Sequence, residues 1–325
     1  MTSTDQTPSA NEGTVETLAL RHVHFDRLVE KAKPHDPIQT AIVAPEDTNS
    51  LGGAVLAAKA TLIEPVLIGD RQKIERAAAE IGADIAGYEL IDVKNHRAAA
   101  KAGVDLVNAG KAQALMKGHL HTDELLSAVV KREGGLRTGR RLTHVFVMDV
   151  PGMDRPVMVT DAAINIAPEL EVMVDIVQNG IEVALSLGIA EPKVAVLSAV
   201  ETVNPKIPSS MNAAILAKFA DRGQIRGGIV DGPFAMDNAV DIEAARTKGL
   251  KTPVAGRADV LVAPGIDAGN ILFKALTFMA NAQAAGLAMG AKVPIILNSR
   301  ADGEKARLAS CAVAVLHQAR LAGKF

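Results

Sequence analysis

A hydroxyl and a guanidinium stand side by side near the carboxyl end of this chain, Ser299 and Arg300, in the run VPIILNSRADG at residues 293–303. An apolar run ending in a polar turn, with a helix-forming stretch behind it, reads as strand, turn and helix. The turn then lies at the strand's carboxyl end, where unpaired helix N–H groups and a positive dipole end collect. With Ser299 and Arg300 added, such a place suits an anion such as phosphate. Ser299 suits the cap of the last helix equally well, so the residues alone leave both roles open. The nearest acids are Asp302 and Glu304. A second unit precedes this one: a buried strand at 261–263, the turn PGIDAGN at 264–270 and a helix from about Ile271, with Asp267, Asn270 and Lys274 in the pattern D-A-G-N-x-x-x-K. A third follows the apolar run Ala112–Met116, whose turn carries Lys117, His121 and Thr122. A lysine at a buried strand end is costly unless paired or solvated, which fits an ion pair and a ligand contact alike.

Other chemistries find no support. There is no G-x-G-x-x-G after the first strand, no P-loop and no H-E-x-x-H. His119 and His121 lack a carboxylate cluster at metal-ligand spacing, so no metal site is expected. Thr160-Asp161 reads as a helical approach in which Asp161 is a cap, with a catalytic role as the lesser alternative. The chain has 325 residues and a net charge of −2, so no basic field exists to hold nucleic acid or an anionic membrane. Aromatic residues are 2% of the total, with no Trp, which removes stacking platforms for bases. Cys311 is the single cysteine, which excludes an intrachain disulfide and a multi-cysteine metal site. The first residues are polar, without a secretion signal, and no apolar run approaches a membrane span. A cytoplasmic location is expected.

The elements that must position these turns alternate. Short apolar strands are expected at 40–44, 65–68, 88–93, 112–116, 193–197, 228–230, 259–262 and 293–297, each followed by a turn and a helix. Near-continuous apolar strands alternating with helices signal a parallel sheet covered on both faces, with ligands beyond the carboxyl strand ends. The stretch KREGGLRTGRR at 131–141 breaks the rhythm and reads as an exposed arm. Extended runs at 143–150 and 155–160 then form a hairpin. The Ala- and Gly-rich stretch 282–291 reads as tight helix packing. The expected organisation is a tail at 1–13, one α/β domain from 14–150 plus 292–325, and a second from 151–291, with a cleft between them.

The motifs together resemble the phosphate acetyltransferase/phosphate butyryltransferase family. The matching pieces are PVLIGD at 65–70, ALMKGHLHTDELL at 114–126, GLRTGRRLTHVFVMDVPG at 135–152, VTDAAINIAPEL at 159–170, PKVAVLSAVETVNPKIPSS at 192–210, IVDGPFAMDNAV at 229–240, APGIDAGNILFKAL at 263–276 and VPIILNSRAD at 293–302. Each is soft; their number and order carry the resemblance, which covers residues 20–325. MKGHLHT and GLRTGR point to the butyryl-type branch. The resemblance implies two α/β domains like those of isocitrate and isopropylmalate dehydrogenases, mostly parallel sheets, an active site in the cleft and a homodimer. It implies the reaction acyl-CoA + phosphate = acyl phosphate + CoA, with coenzyme A as substrate and no metal or redox cofactor.

Carried over residue by residue, Ser299 would serve the tetrahedral oxygen and Arg300 the phosphate. Acetyl-type relatives have an Asp where Ala306 stands here, which leaves Asp302 as the candidate base or as a helix cap. They also have an Arg where Ser127 stands, a charge that Arg137 would supply. Lys117, His121, Thr122, Asp267, Asn270 and Lys274 complete the expected substrate contacts, with Asn270 either capping its helix or binding acyl phosphate. Two readings compete: a metal- and NAD-dependent hydroxy-acid dehydrogenase, for which the acid cluster is missing, and a non-enzymatic anion-binding module, which would want a secretion signal. A third, a fatty-acyl-phosphate synthase fed by acyl carrier protein, would need a basic docking patch and a long apolar channel.

Overall fold

Apolar runs bounded by turn residues form the strands, and polar caps start several of the helices between them. Asp47, Asp70 and Asn95 each accept a backbone N–H from the first turn of the helix that follows. The computed structural model describes residues 22–299 and 302–324. Its strands are β1 (Ile38–Val43), β2 (Ile63–Gly69), β3 (Glu89–Asp92), β4 (Ala114–Lys117), β5 (Thr143–Asp149), β6 (Val157–Thr160), β7 (Lys193–Leu197), β8 (Ile229–Phe234), β9 (Val260–Val262), β10 (Gln283–Met289) and β11 (Ile295–Ile296). Its helices are α1 (Val23–Ala32), α2 (Thr48–Lys59), α3 (Arg71–Glu80), α4 (His96–Asn108), α5 (Thr122–Val129), α6 (Leu170–Ser186), α7 (Pro208–Asp221), α8 (Met236–Val240), α9 (Ile242–Thr247), α10 (Ile266–Met279) and α11 (Glu304–Leu321).

The strands join in a single 11-stranded sheet, ordered β3-β2-β1-β4-β11-β10-β5-β6-β9-β7-β8. This is the mixed α/β class expected, mostly parallel. β3, β2, β1, β4 and β11 run parallel, and so do β6, β9, β7 and β8. Between the blocks, β10 is antiparallel to both β11 and β5, and β5 is antiparallel to β6. The two parallel blocks therefore run in opposite directions, and their carboxyl ends emerge at opposite edges. The hairpin β5–β6 falls where the domain boundary was expected, and the sheet continues through it.

Two local expectations change. The stretch 282–291 is not helix packing: Gln283–Met289 is a strand in the middle of the sheet. Its small side chains are needed there. A Cβ on Gly286 would come within 2.6 Å of the Leu297 carbonyl oxygen and 2.9 Å of the His144 ring. Helix α10 starts at Ile266 rather than near Ile271, so Asp267 and Asn270 lie inside it.

The core lies on both faces of the sheet, and α11 is its most deeply set helix. Cys311 to Leu316 are all buried, and burial pushes the Cys311 thiol up to about 12. Asp149, at the end of β5, docks α1 by accepting the N–H groups of His24 and Phe25 at 2.9 Å each. His317 of α11 is also buried, with Nδ1 3.0 Å from Ser186 Oγ. Burial pushes its pKa down to about 4. Because the unfolded chain holds that proton more tightly, stability falls as pH drops from the unfolded value, about 6.5, toward 4. Between about pH 7 and about pH 5 this group should cost on the order of 2 kcal/mol. Urea denaturation at the two pH values measures the loss, and His317→Gln should remove that part of it.

Candidate active site

The carboxyl ends of β1, β4 and β11 meet at one edge. Val43 lies opposite Lys117, and the turn after β4 folds back on β1: Gly118 N–H donates to the Val43 carbonyl (2.8 Å) and His119 N–H to that of Ala44 (2.6 Å). A Cβ on Gly118 would strike the Ala44 carbonyl oxygen at 2.2 Å, so only glycine permits this approach. Lys117 is buried, its Nζ 3.5 Å from the Gly118 carbonyl. Across from it Asp47 caps α2 through the N–H groups of Asn49 and Ser50, with the Ser50 hydroxyl at 2.6 Å and His119 Nδ1 at 3.3 Å. Burial opposes the Asp47 charge. The Ser50 bonds and the charges of His119 and Arg307 outweigh it and hold the carboxyl below the usual range.

At the end of β11 the chain turns on Asp302. Its Oδ2 accepts the Ser299 N–H (2.8 Å) and lies 3.3 Å from Asn298 Nδ2, while its own N–H donates to the Ser299 carbonyl (3.2 Å). Asp302 thus locks the turn and is not the cap of α11, whose N-cap is Gly303 with no side-chain bond. Ser299 is exposed beside it. Arg300 lies outside the described residues. Arg307, one turn into α11, is 2% exposed and reaches both strand ends: Nη2 donates to the Ser299 carbonyl (3.1 Å) and Nη1 to that of Lys117 (3.4 Å). Burial lowers its pKa, and the charges of Asp47 and Asp302 pull the other way.

The opposing block contributes a turn after β6. Asp161 is buried and organises it: Oδ1 accepts the N–H groups of Ala163 (2.9 Å) and Ile164 (3.1 Å), and Oδ2 accepts those of the Asn165 backbone (3.1 Å) and side chain (2.6 Å). No helix starts here, since the next one begins at Leu170 with Glu169 as its N-cap, so Asp161 closes a turn and is not the helix cap the sequence suggests. Asn270 does not cap α10, whose N-cap is Gly265. Its Nδ2 donates to the Ala162 carbonyl (3.1 Å) and ties the helix to this turn. Gly269 makes that possible, since a Cβ there would meet the Asp161 carbonyl oxygen at 2.3 Å. Asp267 and Lys274, on the same helix, are exposed.

His144 stands between the two clusters. Its Nε2 donates to the Leu297 carbonyl at 3.1 Å, and the charges of both Asp161 and Asp302 reach its ring. Burial dominates and pushes its pKa down, so the ring is neutral with its proton on Nε2. Phe146 packs beside it, ring centres 4.1 Å apart, and stacks on Phe273 at 3.8 Å.

Lys117, Ser299 and Asp302 are therefore brought together, His121 and Thr122 follow where the Lys117 turn enters the next helix, and Arg137 lies elsewhere. His121 is the exposed N-cap of α5, its N–H held by Glu124 at 3.1 Å, and Thr122 opens that helix. Arg137 bridges to Ala291, four residues before β11, at the edge away from Ser299. There it lines a cavity of about 280 Å³ with Arg140, Arg141 and Asn165. Sequence reasoning passed over Arg307, His144 and Asp47. An arginine inside the apolar run of the last helix, and the pair Gly52-Gly53, were the available signals for the first. Among the described residues no group of three His, Cys, Asp or Glu is arranged to hold a metal ion.

A family model described as "Phosphate acetyl/butaryl transferase" matches residues 94–315. The chain belongs to that family. It is 53% identical to a phosphate acetyltransferase of Rhizobium meliloti over 91% of this chain and 94% of the relative. It is 40% identical to a phosphate butyryltransferase of Clostridium acetobutylicum over 90% and 97%. A solved branched-chain phosphotransacylase from Enterococcus faecalis superposes with a TM-score of 0.73 at 32% identity, over 86% of this chain and 98% of the other. Relatives named for acetyl and for butyryl transfer thus both align along nearly the whole chain. For this family member, Asp161→Ala should strip the acceptor from the 161–165 turn and cost about 3 kcal/mol in chemical denaturation. Asp161→Asn, which keeps one acceptor oxygen, should cost less.

Proposed function

We propose that this chain transfers a short acyl group reversibly between CoA and inorganic phosphate. The observation that carries the reading is the Ser299–Asp302 turn at the end of β11, held against the Lys117 turn in a chain that aligns over 90% or more of its length with phosphate acyltransferases. Run toward acyl-CoA, a carboxylate takes the proton of the CoA thiol and the thiolate attacks the acyl carbonyl. The carbonyl oxygen becomes an oxyanion, the tetrahedral centre collapses, and the C–O bond to phosphate breaks. Asp302 is the base, Ser299 donates to the oxyanion, and Arg300 with Lys117 holds the phosphate. His121 and Thr122, at the mouth of the Lys117 turn, and Asn270, against the Asp161 turn, complete the substrate contacts, with Asp267 and Lys274 further along α10. The basic cavity of Arg137, Arg140 and Arg141 suits the anionic end of CoA. No metal or redox cofactor enters these steps.

The two parallel blocks act as two lobes, divided as the isocitrate and isopropylmalate dehydrogenases divide, with substrates bound where the lobes meet around His144. The chain works as a homodimer: Ile271, Phe278 and Met279 project from α10 with 68%, 79% and 87% of their surface exposed, an apolar face that a second copy would cover. It works in the cytoplasm; no described helix is long and apolar enough to cross a membrane.

Acetyl-, propionyl-, butyryl- and longer acyl-CoA esters, each supplied with phosphate and followed by thiol release, test the reaction and its chain length. Turnover of none of them would overturn it. Arg300→Ala should raise the phosphate KM or lower kcat by about 10²-fold, the loss of one preorganised donor. Full activity in that variant would remove Arg300 from the mechanism.

A further inference from the structure

We propose that Arg307 is a positioning residue for this reaction: its guanidinium clamps the turns after β4 and β11 so that Lys117 and Ser299 face the same phosphate. The inference rests on the proposed acyl transfer. Its first support is the bond pattern. One planar fork donates to two backbone carbonyls on two different strand ends, those of Ser299 (3.1 Å) and Lys117 (3.4 Å). A fork fixes distance and angle together, which a lysine cannot do.

The second support is what the guanidinium does not do. Asp47 and Asp302 both act on it through charge, yet neither forms a salt bridge with it among the described residues. Its Nε lies buried with no hydrogen-bond partner there. A buried arginine kept for stability alone would be expected to have a carboxylate on its fork, and an apolar side chain of similar size often serves stability as well. This cation is instead aimed at the backbone beneath the anion-binding turn.

The third support is the seat made for it. A Cβ on Gly53 would lie 2.6 Å from Arg307 Cδ and 2.8 Å from its Cβ, and one on Gly52 would lie 2.2 Å from Glu304 Oε1. Glycine weakens the middle of a helix. Yet α2 carries two in succession, facing the first turn of α11. Of the pair that fits no nucleotide-binding motif, Gly53 makes the groove for this side chain and Gly52 makes room for Glu304 beside it.

The test compares Arg307→Met, Arg307→Lys and Gly53→Ala with the unaltered chain in the acyl-CoA and phosphate assay. If the unaltered chain shows no turnover, the proposed function fails and not this inference. With turnover established, Arg307→Met should melt at or above the original temperature, while kcat falls about 10²-fold and the KM for CoA stays within about twofold. Arg307→Lys should recover part of kcat, since it restores the charge and one of the two bonds. A folded Arg307→Met with kcat within about twofold of the original would overturn the inference. So would a loss that merely follows melting temperature and is not recovered by lysine. Should Arg307→Met fail to fold, Gly53→Ala decides, because it crowds Arg307 from Cβ to Cδ and leaves the guanidinium in place: kcat about tenfold lower supports the clamp, and unchanged kcat overturns it.

Discussion

The reversal of strand direction across the antiparallel strands β10 and β5 is the constraint on which the rest of the molecule depends. In a wholly parallel sheet the carboxyl ends of all strands share one edge, and a site needs only a crevice there. Here the block ending in the Lys117 and Ser299 turns and the block ending in the Asp161 turn point opposite ways. Two clusters of polar side chains are therefore joined across the intervening strands. That is possible only because β10 is built of small residues: Gly286 lets His144 lean over the strand and reach the Leu297 carbonyl. The ring that spans the gap is neutral, so it joins the halves by shape and one hydrogen bond without adding a charge that either carboxylate would capture.

The electrostatics follow from that layout. Asp47, Arg307, Asp302, His144 and Asp161 form a series in which each group feels the next, from one strand end to the other. The acids are occupied in building turns: Asp47 caps α2, Asp302 closes the β11 turn and Asp161 organises residues 163–165. With a net charge of −2, the molecule has no broad positive field. Attraction for an anion must come from local cations such as the buried Lys117 and Arg307 and from backbone N–H groups. A related arrangement lies beside the site, where the buried carboxylate of Glu46 takes bonds from the Asp70 N–H, Lys73 and His96. Burial opposes its charge, but those bonds hold it below the usual range.

Most of the architecture was legible because it is written in long apolar runs. The strands at 40–43, 114–117 and 193–197 are buried along nearly all their length, so periodicity and turn residues located them. β10 was not legible, because Ala and Gly carry too little apolar volume to mark a strand, and its reason for being small lies in residues 144 and 297. At the site, the turn after β11 was found from strand–turn–helix logic, and its acid from the resemblance to the acyltransferase family. Asn270 and Arg137 went to unexpected partners because their contacts, Ala162 and Ala291, are distant in sequence. Arg307 was hard to single out for a related reason. Its environment is made by a helix some 250 residues earlier in the chain, and a lone arginine at a helical spacing usually means a solvated face.

The deep seating of α11 has a practical corollary. Its one sulfhydryl, Cys311, has no exposed surface and a pKa raised to about 12, so at neutral pH it is protonated and out of reach. In the folded protein a disulfide-exchange dye has no thiolate to react with. Colour developing in a mixture of acyl-CoA, phosphate and this protein then reports liberated coenzyme, with no background from the catalyst itself.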